Sequence, residues 1–100
     1  MPKVLIRYKL RPGEVQENVS LLRAFFHELE IERPPGLIYE AYLLADGLSF
    51  VHIVDSTTGA QPFGHLPSYR RYRDTVAARC TEPPQMIGMD PVGVFNALAN

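Results

Sequence analysis

An Asp-Gly pair between two β-prone runs, one amphipathic helical stretch before it and another after it predict an α+β chain. The order is strand, helix, strand, strand, helix, strand. The pair is Asp46-Gly47, and the runs are Leu37 to Ala45 and Leu48 to Asp55, both rich in Leu, Ile, Val, Tyr and Phe. Such residues suit a pleated, half-buried surface. Asp-Gly between them favours a type I′ hairpin turn, which needs positive φ at both central residues.

Val4 to Leu10 alternates and opens the chain as a strand, with Val4, Ile6, Tyr8 and Leu10 on the face expected to cover the core. Arg7 and Lys9 fall on the other face, toward solvent or a polar cavity. Arg11-Pro12-Gly13 ends this strand. Glu14 to about Ile31 carries Val15, Val19, Leu22, Phe26 and Leu29 at helical spacing, with Phe25 beside them. Pro34-Pro35-Gly36 stops that helix. With a two-residue turn, opposed hairpin positions place His52 against Ala41, on the face that holds Tyr39, Leu43 and Phe50; a longer turn would shift the register. Residues 56–65 read as a loop. Pro67 suits the first turn of a second helix, whose apolar stripe is Leu66, Tyr69, Tyr72, Val76 and Cys80, with Arg79 among the residues mostly off it. Glu82-Pro83-Pro84 reads as its breaker. Gln85 to Phe95 reads as a last edge strand, with a bulge suggested by Gly88 and Asp90-Pro91.

Residues 1–100 make a single domain by length. A formal net charge of −1 argues against a nucleic-acid or membrane-surface binder. The single cysteine, Cys80, excludes an intrachain disulfide and a cysteine-based zinc site. The basic start lacks a signal-peptide pattern, and no run is long enough to cross a bilayer, so the expected location is cytoplasmic. The histidines show no metal-ligand spacing, and no cofactor is expected.

The element order is that of a ferredoxin-like fold, a four-stranded antiparallel sheet with strands one and three central and both helices on one face. The other sheet face is then uncovered, and its apolar groups are expected to be buried against a second copy. The runs LIRYKLRPG, PPGLIYEAYLLADGLSFVHIVD and LPSYRRYRDTVAARC, with the EPP that follows, resemble small dimeric α/β-barrel proteins of the antibiotic-biosynthesis-monooxygenase-like group. The resemblance spans about Val4 to Phe95. It implies a homodimer paired through its open sheet faces. It also implies an activity such as cofactor-independent, quinone-forming monooxygenation of a small aromatic or polyketide-like molecule. Haem degradation, found elsewhere in that superfamily, is disfavoured because the chain has no Trp.

The candidate residues are few. His52 is the candidate general base, since imidazole titrates near neutrality. Its rival reading is a buried, hydrogen-bonded core histidine. Arg7 is the candidate anion holder, against an ion pair with Glu40. Tyr39, Tyr42 and Phe50 are candidate ligand contacts. Tyr39 and Tyr42 are an odd number of residues apart, so one of them faces any cavity in the sheet. The register decides whether His52 and Tyr39 look between paired sheets or toward the helices. Three functions remain open: an enzyme, a dimer binding a small apolar or aromatic ligand, and a structural assembly protein with a filled interior.

Overall fold

The protein is described here by a computed structural model covering residues 3–57 and 61–98. The elements are β1 (Lys3–Leu10), α1 (Val15–Glu32), β2 (Leu37–Leu43), β3 (Ser49–Ser56), α2 (Pro67–Arg79) and β4 (Cys80–Met89). The four strands form one antiparallel sheet in the order β2-β3-β1-β4, as expected for the ferredoxin-like arrangement. Ile6 faces His52 across β1 and β3, and Ala41 faces His52 across β2 and β3.

The hairpin keeps the expected register but not the expected turn. Leu44 N donates to Ser49 O at 2.8 Å, so residues 45–48 form the loop. Gly47 has φ +75°, while Asp46 keeps a negative φ, which excludes type I′. The Asp46 carboxylate explains the difference. Its Oδ1 accepts from Leu48 N at 2.9 Å and Ser49 N at 2.8 Å, and its Oδ2 accepts from Ser49 Oγ at 2.6 Å. This side-chain anchoring favours a four-residue loop around a tighter turn. The Ser49 hydroxyl and the two amides hold the Asp46 carboxyl down at about 2, below its ordinary 3.8. The carboxylate therefore stabilises the fold above the ordinary value, and that support is lost as pH falls through about 2. Thermal melts of Asp46→Ala against the native protein should show a lower midpoint at neutral pH and a gap that closes toward pH 2.

Both helices cover one face of the sheet. Their contribution to the core is Leu22 and Phe25 from α1 and Tyr72 and Val76 from α2, packed with Tyr8, Leu10 and Phe50 from the sheet and with Phe63 and Leu66. The α1 stripe is centred differently from the expected one. Asn18, Leu22 and Phe25 are fully buried, while Val15, Val19, Phe26 and Leu29 are only partly buried. Glu28 of α1 caps α2, because Ser68 N and Ser68 Oγ both donate to its Oε1. These bonds hold the Glu28 carboxyl below its usual range and join the helices. Gly36, at φ +76°, lets β2 begin close against Thr57, whose hydroxyl occupies the space a Cβ would need.

Three expectations about the second half require correction. Cys80 is not on the helix; it begins β4, and its thiol donates to Val76 O at 3.1 Å. The last strand is Cys80–Met89 rather than Gln85 to Phe95. Glu82-Pro83-Pro84 therefore lies inside it. The register against β1 shifts between Arg7 and Leu10, which places the bulge at these prolines rather than at Gly88. An edge strand tolerates this because an outward proline deletes no ladder bond. The loop expected over 56–65 falls partly on residues outside those described, and Ser56 belongs to β3.

Candidate functional site

Pairing places Tyr8, Phe50, His52 and Tyr39 on the helix side of the sheet and Arg7 and Tyr42 on the open side. His52 is fully buried at 0% exposure. The convergence of His52 with Arg7 in one cavity is therefore not found, because adjacent rows of a pleated sheet point to opposite faces. Arg7 is exposed, and the Tyr42 hydroxyl donates to Glu40 Oε1 at 3.0 Å on the outer surface. Phe50 stacks on Tyr8 with ring centres 5.4 Å apart and serves the core. His27 and His65 are both exposed.

Around His52 lies a buried polar chain. The Tyr8 hydroxyl meets His52 Nε2 at 2.9 Å, and the Tyr39 hydroxyl meets His52 Nδ1 at 2.9 Å. Asn18 Nδ2 donates to the Tyr8 oxygen at 2.9 Å. Behind Asn18, Arg79 donates to Asn18 Oδ1 from Nη2 at 2.9 Å and from Nε at 3.2 Å, and from Nη1 to Thr75 Oγ1 at 2.6 Å. Asn18 is 0% and Arg79 5% exposed, so the expectation that Arg79 lies off the buried stripe of α2 is overturned. Both helices, β1, β2 and β3 thus each contribute a member.

The shell around this chain is aromatic. Tyr72 stacks on His52 at 5.7 Å, and Phe25 and Phe63 meet the Tyr39 ring edge-on at 5.0 and 5.3 Å. Burial pushes His52 down to about 4, so its ring is neutral at physiological pH. Burial pushes the Tyr8 phenol up to about 12 and raises Tyr39 and Tyr72 as well. All three phenols keep their protons. The arrangement can relay or orient a proton, and it holds no resting anion.

Tyr39 connects this interior to the outside. It is half-buried and lines a cleft of about 360 Å³ with Phe26, Leu29, Glu30, Arg33, Pro34, Pro35 and Leu37. The cleft lies where α1 ends and β2 begins. Arg33 closes α1 there at φ 45°, its N–H donating to Leu29 O at 2.7 Å. Among the described residues, no group of three His, Cys, Asp or Glu side chains could hold a metal ion, and no helix is long and apolar enough to cross a membrane.

The backbone has close counterparts among solved structures. An antibiotic biosynthesis monooxygenase superposes with a TM-score of 0.75 at 16% identity, covering 93% of this chain and all of its own. The fold is that of the antibiotic biosynthesis monooxygenases. A Mycobacterium tuberculosis protein matches with a TM-score of 0.75 at 23% identity, over 95% of this chain and 98% of its own. A Streptomyces coelicolor monooxygenase, solved with the ligand Nanaomycin D, matches with a TM-score of 0.69 at 19% identity, over 95% and 90%. No protein-family model and no curated protein matches this sequence.

Proposed function

We propose that the chain is a cofactor-independent monooxygenase acting on a small ring-hydroxylated aromatic molecule. The observation that carries this reading is the Tyr39–His52 pair. It is a phenol and a neutral imidazole 2.9 Å apart, enclosed by aromatic rings and opening on a cleft through Tyr39. Phe26, Leu29, Pro34, Pro35 and Leu37 give the cleft apolar walls beside the charged Glu30 and Arg33, a setting that suits an aromatic ligand carrying polar substituents. The Streptomyces neighbour supports the class, as a monooxygenase holding Nanaomycin D. In the reaction, molecular oxygen is the oxidant. The phenol loses its O–H and one ring C–H hydrogen, one oxygen atom enters the ring as a carbonyl, and the other leaves as water.

The roles follow from placement. Tyr39, which lines the cleft, is assigned the contact with a ligand oxygen. His52 acts through Tyr39, since both of its ring nitrogens are already engaged. Oxygen uptake with a panel of hydroquinones and naphthols tests the reading. Native protein should turn over at least one of them, and Tyr39→Phe should lose roughly a hundredfold or more in kcat/KM, the low end for a positioned proton-transfer group. Uptake no faster than the uncatalysed rate, or an unimpaired Tyr39→Phe protein, removes the proposal.

The open sheet face supports a homodimer as the working form. It carries Leu5, Val51, Ile53, Ile38, Tyr42 and Ile87, with Ile38 59%, Tyr42 50% and Ile87 43% exposed in the single chain. A face of that character is suited to a second copy, and Arg7 would lie in that contact rather than at the cleft. The alternative, a non-enzymatic dimer that binds an aromatic ligand in the same cleft, predicts binding without oxygen uptake.

A further inference from the structure

We infer that Arg79, acting through Asn18 and Tyr8, fixes His52 with its proton on Nδ1 and so frees the Tyr39 hydroxyl proton for a ligand oxygen. The direction of the chain can be read from its buried end. A guanidinium has donors and no acceptor. The Asn18 atom facing Arg79 must therefore be the carbonyl Oδ1, which turns the amide Nδ2 toward Tyr8 as a donor. The Tyr8 oxygen receives that proton. The proton of Tyr8 then has His52 Nε2, 2.9 Å away, as its acceptor.

A neutral imidazole carries one proton. With Nε2 accepting, that proton sits on Nδ1 and is donated to the Tyr39 oxygen at 2.9 Å. The opposite direction would strand the Tyr8 proton in the core without an acceptor, which a buried hydroxyl disfavours. Every bond thus points from the cation toward the cleft. Tyr39 accepts from His52, and its own proton has no acceptor among the described residues. Because Tyr39 also lines the cleft, this proton is the donor that the chain can offer to the oxygen of an aromatic alcohol or its phenolate. Arg79 and Asn18 are positioning residues: neither touches the cleft. The last step rests on the reading of Tyr39 as the ligand contact; the tautomer does not.

Asn18→Asp provides the test, because it keeps the shape and inverts the direction. A carboxylate at this position still accepts from Arg79 but now also accepts from the Tyr8 hydroxyl. Tyr8 then takes a proton from His52 Nε2, and Nδ1 turns to accept from Tyr39. Nitrogen NMR of the full chain labelled at histidine, without ligand and at neutral pH, reads this directly. The unprotonated nitrogen of His52 should be Nε2 in native protein and Nδ1 in Asn18→Asp. A native protein with bare Nδ1 overturns the inference without any variant, as does an unchanged tautomer in a folded Asn18→Asp protein. Titration with 1-naphthol examines the ligand step separately. Affinity should fall roughly fivefold in Asn18→Asp, the scale of one lost hydrogen bond between neutral groups. A swapped tautomer with unchanged naphthol affinity upholds the direction of the chain and removes Tyr39 as the ligand contact.

Discussion

Asn18→Leu is expected to destabilise the protein by about 3–5 kcal/mol, the range for removing one partner of a buried charge. Arg79 is 5% exposed, and the ion pairs among the described residues belong to other arginines, all on the surface. Its charge is compensated by dipoles instead. Asn18 Oδ1 takes two of its donors, and Thr75 Oγ1 takes a third. A leucine there leaves the guanidinium facing hydrocarbon and also strips the Tyr8 oxygen of its amide donor. For a domain of this size each kcal/mol moves the melting midpoint by roughly 4–8 °C, so a fall of at least about 12 °C is expected. Urea titration checks it. A loss below about 1 kcal/mol would mean that water reaches the guanidinium and that the surface-scale value applies. Asn18→Asp should be far milder, since it supplies Arg79 with a counter-charge.

Mild acid is expected to remove roughly 3 kcal/mol of stability between pH 6.5 and pH 4. His52 titrates at about 4 when folded and near 6.5 when unfolded. Between those values the unfolded chain binds a proton that the folded chain refuses, so stability falls as pH falls. The span is about 2.5 pH units, at about 1.36 kcal/mol each. The stabilisation is complete above 6.5 and gone below 4. The cause is burial: both ring nitrogens are engaged by phenols, and the ring is stacked under Tyr72 with no carboxylate among its hydrogen-bond partners. Denaturant midpoints measured across that range should slope, and His52→Gln should flatten the slope whatever it does to the absolute stability. A native protein equally stable at pH 4.5 and 6.5 would contradict a neutral, sealed imidazole.

Strand order, element order and hairpin register were legible from the sequence because they rest on alternation and spacing. His52 against Ala41 follows from a count of residues and survives a turn of a different kind. The face that His52 takes was not legible, since Tyr39, Leu43 and Phe50 on one side are matched by Ile38, Tyr42, Val51 and Ile53 on the other. Asn18 and Arg79 were missed for a different reason. A polar residue on a helix is ordinarily read as facing water. Here each is buried because the other satisfies it, from 61 positions away in the chain. One weak signal was available. Asn18 sits three residues after Val15 and four before Leu22, squarely within the apolar stripe. The prolines at 83 and 84 were misread because proline breaks a helix anywhere but breaks a sheet only in its interior.

Those two prolines have an effect beyond the local bulge. β4 is one rim of the sheet, and a rim is where a foreign strand can add itself by main-chain pairing. Proline lacks the N–H that such pairing requires, and neighbouring N–H groups of a strand point to opposite edges, so one of Pro83 and Pro84 leaves a gap in the outward row of donors. The register shift beside them bends the same stretch out of line. Growth of the sheet from this rim, whether into a fibre or a runaway oligomer, is therefore disfavoured by the chain itself.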